Sequence, residues 1–293
     1  MNIHQATLLS FLSKAVNGGA EMPSHLLDEF ADLAKKALEK HFSKKDEEDF
    51  RLRMSNIGRP LCQLQMQASG AEAEVPDYSF KMRMIMGDVL EAVLITLIKA
   101  SGVEVKNIHK KVEFTDKDIN IKGEFDIELS DGIYDIKTVS PYAFDNKFNS
   151  DNAFNSIKTT DTFGYVSQGY GYGLAADLPF KGWIALNKST GQIAFAEAPD
   201  DKKETKEVAN ALKKTHRTIH NGEPFKRCFS DTEETYYSKP TGNRVLGFEC
   251  SYCPYKSTCW DKLEFKRQLP SKGKNPKWVW YTKISDEWRD SAN

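Results

Sequence analysis

Gly123-Glu-Phe-Asp126-Ile-Glu128-Leu-Ser-Asp131-Gly132-Ile-Tyr-Asp135-Ile-Lys137 constrains this chain most, because two apolar-alternating runs flank an Asp-Gly pair. Such a pair accepts the positive φ angles of a tight two-residue turn, so the segment predicts a β-hairpin turning at Asp131-Gly132. That turn sets Asp126 opposite Lys137 and Glu128 opposite Asp135. Side chains alternate along a strand, which predicts one charged face and an opposite face of Phe125, Ile127, Tyr134 and Ile136. Carboxylates gathered beside a lysine suit phosphodiester cleavage: the acids hold a hard cation that keeps several waters, and the ammonium orients the attacking water. Asp126 and Asp135 are the predicted metal-binding acids and Lys137 the predicted catalytic base or orienting group. Cross-strand ion pairs on a solvated hairpin would produce the same pattern.

Met84 to Ala100 is apolar almost all round the helical wheel and predicts a buried helix, with Glu91 as its mid-segment acid. A carboxylate inside a core needs a cation or a hydrogen-bond partner, which makes Glu91 a further candidate for the metal site; the other reading places it on a narrow polar edge with Asp88 and Lys99. Gly87, one turn earlier, would admit a close approach by another backbone or by substrate. Downstream, Gln168 and Tyr172 stand at i and i+4, on one face if their glycine-containing segment is helical.

The ordered set Gly87-x-x-x-Glu91, Gly123-x-x-Asp126, Asp135-x-Lys137 and Gln168-x-x-x-Tyr172 resembles the PD-(D/E)XK nuclease superfamily in its RecB-like branch, over about residues 55 to 260. In that family the first motif often carries His where this chain has Glu91, and the third carries Asp or Glu where it has Asp135. The resemblance implies an α/β restriction-endonuclease-like core, a central mixed sheet flanked by helices. It also implies one or two divalent ions, Mg²⁺ or Mn²⁺, held by Glu91, Asp126, Asp135 and the Ile136 carbonyl, with Gln168 and Tyr172 supporting the site or the substrate.

Cys250-x-x-Cys253-x5-Cys259 has metal-ligand spacing, and thiolates suit zinc or an iron–sulfur cluster. A fourth ligand is then needed, and Cys62 and Cys228 compete for that position. Disulfides fit less well, because five cysteines is an odd number and no secretory signal is present. The arrangement is similar to RecB-like nucleases that carry a [4Fe-4S] cluster, among them CRISPR-associated and viral exonucleases, in which one Cys before the core and three after it clamp the domain ends. That resemblance implies Cys62, Cys250, Cys253 and Cys259 as ligands.

The sequence-based organisation is a helical N-terminal extension over 1–50, a nuclease domain over 51–262 closed by the cysteine cluster, and a basic, aromatic tail over 263–293. In the extension, leucines and phenylalanines recur at helical intervals on either side of Pro23. Lys44 to Asp49 reads as a charged connector, Lys181–Lys188 and Gln192–Ala196 as a hairpin, and Asp201–His220 as a charged surface helix. With a formal net charge of −1, attraction to nucleic acid must come from local patches: Lys110-Lys111, Lys213 to Arg217, and the tail, where lysines interleave with Trp278, Trp280 and Tyr281. The stretch 84–98 is too short and too polar to span a bilayer, and no phosphate-cradling glycine loop is present. The expectation is a cytoplasmic, metal-dependent DNA exonuclease of the cell or of a viral host, acting on single- or double-stranded DNA and in reach of recombination or replication proteins. A site-specific or structure-specific endonuclease of the same fold and a noncatalytic nucleic-acid-binding module are the alternatives.

Overall fold

A computed structural model describes residues 2–43 and 50–289, which leaves the predicted Lys44–Asp49 connector outside the described residues. In chain order the elements begin with helices α1 (Ile3–Val16), α2 (Ser24–Phe42), α3 (Leu61–Ala68) and α4 (Tyr78–Ala100), then strands β1 (Val105–Asp116), β2 (Ile119–Leu129) and β3 (Gly132–Val139). A short α5 (Pro141–Ala143) and a π-helical turn lead to α6 (Ala153–Thr159) and α7 (Tyr165–Ala176), followed by β4 (Phe180–Asn187), β5 (Ile193–Glu197) and α8 (Lys202–His220). The chain closes with β6 (Thr232–Tyr236), β7 (Lys239–Val245), α9 (Phe248–Ser251), α10 (Lys256–Cys259), β8 (Glu264–Arg267), β9 (Trp278–Lys283) and α11 (Asp286–Arg289). No helix among the described residues is long and apolar enough to cross a membrane.

Two compact units divide these elements: residues 1–59 with 77–218, and residues 60–76 with 219–293. They do not follow the three sequence-based segments, because the N-terminal helices belong with the large sheet and the supposed tail supplies β8 and β9 to a four-stranded sheet with β6 and β7.

The first unit is α/β. Its five-stranded mixed sheet runs β1-β2-β3-β4-β5, with β3 and β4 parallel and the other neighbours antiparallel. The parallel pair needs a crossover, supplied by α5 to α7. Helices cover both faces. On one side α6, α7 and α8 bury Ile157, Tyr170, Tyr172 and Leu212 against Phe125, Ile133 and Trp183. On the other α1, α2 and α4 bury Leu8, Leu33, Ile95 and Ile98 against Ile127, Tyr134, Ile136 and Ile184. A fully buried side chain of this size contributes about 1.5–3 kcal/mol, so two filled layers hold the sheet from both sides. Local signals start the helices: Asn2 caps α1 through the N–H groups of His4 and Gln5, Pro23 precedes α2, and Asp77 accepts from Phe80 N–H at the start of α4.

Four expectations are corrected here. The hairpin turns at Ser130-Asp131, since Leu129 pairs with Gly132 and Glu128 with Ile133; Asp126 therefore comes beside Asp135 and not opposite Lys137. Gly132 serves another purpose: at φ 147° a Cβ there would lie 2.3 Å from the Pro179 carbonyl oxygen, which accepts the next N–H at 2.9 Å. The predicted greasy face is split, because Phe125 joins one core layer while Ile127, Tyr134 and Ile136 join the other. Helix α4 is buried mainly in its second half, while in the first half Ile85 is buried but Met82, Met84 and Met86 are exposed, and Gly87 makes no close approach, since a Cβ would meet Thr138 Oγ1 at an ordinary 3.6 Å.

The second unit is built on an antiparallel sheet ordered β6-β7-β9-β8. Its interior is polar at one point, where buried Glu234 accepts hydrogen bonds from Thr241, Asn243 and Tyr281 at 2.8–2.9 Å. Three donors satisfy a carboxylate that burial would otherwise penalise heavily.

Candidate active site

A cavity of about 1200 Å³ opens in the first unit, and Glu91, Asp126, Ile136, Lys137, Gln168 and Tyr172 all line it. They come from four elements of the sheet and its cover: Glu91 from α4, Asp126 from β2, Ile136 and Lys137 from β3, Gln168 and Tyr172 from α7. Asp135 lies just beneath, 1 % exposed.

Local breaks in regular structure place these groups. Strand β2 should keep Phe125 and Ile127 on one face, yet they enter opposite core layers, so the alternation reverses at Asp126. The β1–β2 ladder pairs Ile108 with Ile127 and Lys110 with Phe125 but skips His109 and Asp126, and His109 has a left-handed φ of 48°. A non-glycine residue in that conformation costs about 1–3 kcal/mol and is held there by its surroundings. Freed from the ladder, Asp126 turns one carboxylate oxygen to accept the Ile136 N–H at 2.6 Å.

Gly123 explains the approach of α7. A Cβ there would sit 2.6 Å from Met54 Cβ and 2.8 Å from Tyr172 Cε1, so only glycine lets the Tyr172 ring reach the sheet. Asp161 accepts the N–H groups of Tyr165 and Val166 at 2.8 Å and fixes the start of α7. The i, i+4 pair predicted from sequence is in contact, with Gln168 Nε2 donating to Tyr172 Oη at 3.0 Å.

The electrostatics are unusual. Asp135 is ion-paired with Lys137, whose Nζ is 2.5 Å from Oδ2, and among the described residues no backbone N–H or neutral side chain donates to either carboxylate oxygen. Burial is the main reason that the Asp126 and Asp135 carboxyls are both pushed up to about 7; Glu91 raises Asp126 further, and Lys137 pulls both back. For Lys137 burial acts downward, but Asp135 and Asp126 outweigh it and hold the ammonium well above the usual lysine range. A buried carboxylate and a half-buried one thus lie in the field of one ammonium, an arrangement short of positive charge.

Glu91 is engaged elsewhere, 2.7 Å from His109 Nε2, and it is the first cause that raises the His109 imidazole above its ordinary value. Lys40 of α2 reaches the same cavity, 2.8 Å from Asp88, which also contacts His41 at 3.0 Å. His109 and Lys40 escaped the sequence analysis: neither stands in a motif, and both arrive through tertiary folding. Glu128, grouped with Asp126 in the predicted hairpin, is turned away, buried, and bonded to Asn107 Nδ2 at 2.6 Å.

Among the described residues no three His, Cys, Asp or Glu side chains already converge at metal-ligand distance. A hard cation with retained waters does not demand this; one or two carboxylates suffice for Mg²⁺. Asp135 Oδ1 and the second oxygen of Asp126 fit such an ion.

The five cysteines all fall in the second unit. Cys62, at the start of α3, donates its N–H to Cys228 Sγ at 3.0 Å, and the two thiols share a hydrogen bond that raises Cys62 and lowers Cys228 to about 6. Cys253 adds its charge at Cys62, and Cys259 and Cys253 add theirs at Cys250, whose thiol burial pushes up to about 11. Both competitors for the fourth position, Cys62 and Cys228, are thus side by side, while among the described residues no three cysteines converge at metal-ligand distance. Cys250 and Cys259 lie in the short helices α9 and α10.

No family model matches the chain, and no curated protein matches it in sequence. Among solved structures it is similar to the crystal structure of SSO0001, at 17 % identity and a TM-score of 0.42, over 78 % of this chain and 95 % of that one.

Proposed function

We propose that the chain is a Mg²⁺- or Mn²⁺-dependent DNA exonuclease of the RecB-like PD-(D/E)XK type. One observation carries the reading: the buried Asp135 carboxylate, beside Asp126, meets the Lys137 ammonium but no backbone or neutral side-chain donor among the described residues, beneath a cavity whose rim includes Lys40, Lys111 and Lys122. A structural role would satisfy those oxygens with protein donors, as happens at Glu234. A binding module gains nothing from acids crowded where phosphates would lie.

Asp126, Asp135 and the Ile136 carbonyl would hold the divalent ion, with Glu91 completing the set. Bound there, the ion would polarise the scissile phosphate and neutralise charge on the leaving oxygen. Lys137 orients the attacking water and receives support from Asp135 and from the Tyr165 ring, 5.3 Å from its Nζ. Gln168 and Tyr172 fix the opposite wall. Rim lysines neutralise the strand on either side of the reacting phosphate.

For the second unit the proposal is a [4Fe-4S] cluster on Cys62, Cys250, Cys253 and Cys259, with zinc as the other centre that four thiolates accept. Its support is the gathering of five reduced cysteines in one unit although Cys62 is far upstream in sequence.

Digesting end-labelled DNA with wild type and Asp126→Ala tests the activity. Progressive release of short products, absent in the variant, supports the exonuclease; a few fragments of fixed size would replace it with an endonuclease.

A further inference from the structure

Residues 262–283 hold seven Lys or Arg against one acid, Glu264, a net of +6 in a chain of net −1. Folding converts this segment into the β8–β9 hairpin, in which Phe265 pairs with Trp280 and Arg267 with Trp278. Opposed residues of an antiparallel pair project to the same side, as do residues two apart on a strand, so these four form one face. The rings lie against one another: Phe265 is 5.2 Å from Trp278 at 35° and 4.7 Å from Trp280 at 30°. Phe265 is 50 % exposed and Trp278 62 %. The reverse face is anchored, with Tyr281 buried and its hydroxyl donating to Glu234. The hairpin therefore holds one side fast and bares flat aromatic surface on the other.

Its rim is basic. Lys272, Lys274 and Lys277 in the connecting loop are exposed, and none of them enters an ion pair among the described residues. Solvated lysines beside solvent-facing rings match a polyanion with accessible π faces. Duplex DNA has the charge but keeps its bases stacked inside, and a second copy of this chain would set +6 against +6.

We propose that this face binds single-stranded nucleic acid, with bases stacked on Phe265 and Trp278 and phosphates held by Arg267 and the loop lysines. This face belongs to the second unit and the cavity to the first, and the proposal does not depend on the nuclease assignment.

Fluorescence anisotropy of an end-labelled oligothymidylate with the full chain, in buffer without divalent cation, tests it; cleavage is not read, so failure of the active-site reading leaves the result interpretable. Trp278→Ala and Phe265→Ala should each weaken binding about 5- to 150-fold, while Trp278→Phe retains most of it. Replacing Lys272, Lys274 and Lys277 by Ala should flatten the slope of log affinity against log salt by about 2, at about 0.7 per phosphate contact on a single strand. Both aromatic side chains are half exposed or more, so a wild-type melting temperature serves as the folding control. Unchanged affinity in both alanine variants, duplex bound as tightly as single strand, or a loss of self-association in place of a loss of DNA binding would each overturn the proposal.

Discussion

His109 stands across from Asp126 at a pair that the β1–β2 ladder skips, and its imidazole lies 2.7 Å from Glu91. One interruption thus frees Asp126 to take the Ile136 N–H and aims a ring at the third acid of the cavity. On the proposed function His109 is a positioning residue that acts through Glu91. His109→Ala should raise the Mg²⁺ concentration needed for half-maximal cleavage by about 10- to 100-fold, the range usual for partners that orient metal ligands, with a smaller change in the rate at saturating metal. A metal titration of cleavage rate reads this directly, and an unchanged midpoint would remove His109 from the site.

Binding of a divalent ion at Asp126 and Asp135 should stabilise the fold. At tenfold excess over its Kd an ion that binds only the native state adds about 1.4 kcal/mol. Thermal melts should therefore shift upward with Mg²⁺ in wild type and stay put in Asp135→Asn. An equal shift in both proteins would place the ion elsewhere.

Gly123→Ala should destabilise by about 1–3 kcal/mol, because the new methyl meets Met54 Cβ and the Tyr172 ring at distances that atoms do not tolerate. Denaturant melts would measure it, and a neutral result would mean that α7 sits less tightly on β2 than described.

In the second unit, Arg244 and then Thr282 hydrogen-bond Asp231 and hold its carboxyl below the usual range. A carboxyl lowered on folding contributes stability above its unfolded pKa and loses it as pH falls through the folded value. Asp231→Asn should thus lower the melting temperature at pH 7, and the gap from wild type should close as the pH drops below about 4. A gap that widens in acid would contradict the assignment.

Iron and labile sulfide measured in anaerobically purified Cys253→Ser, Cys62→Ser and Cys228→Ser should separate the cysteine roles. The first two should lose the centre and Cys228→Ser should keep it; the reverse outcome for Cys62 and Cys228 exchanges their assignments, and full metal content in Cys253→Ser sinks the cluster.

What could be read in the sequence was local. Alternation and the Asp-Gly signal found the hairpin, and an i, i+4 spacing found Gln168 and Tyr172, because each pattern is generated by a single element's geometry. The turn position was missed since Gly132 answers to Pro179, far along the chain, and not to the turn itself. The face reversal at Asp126 was likewise invisible: it follows from a skipped pair with a neighbouring strand. Lys40 belongs to a helix that the sequence set outside the catalytic domain, yet Leu33 of the same helix packs in one core layer with Ile127 and Tyr134. Residues that reach a site from remote elements leave no spacing to find.

The central claim is that Lys137 works with a divalent ion on a phosphodiester, and digestion of end-labelled single- and double-stranded DNA by anaerobically purified protein tests it most directly. The account predicts cleavage that requires Mg²⁺ or Mn²⁺ and vanishes in Lys137→Ala while the variant still melts cooperatively. No cleavage by well-folded, cluster-loaded wild type, or full cleavage by the variant, would contradict it.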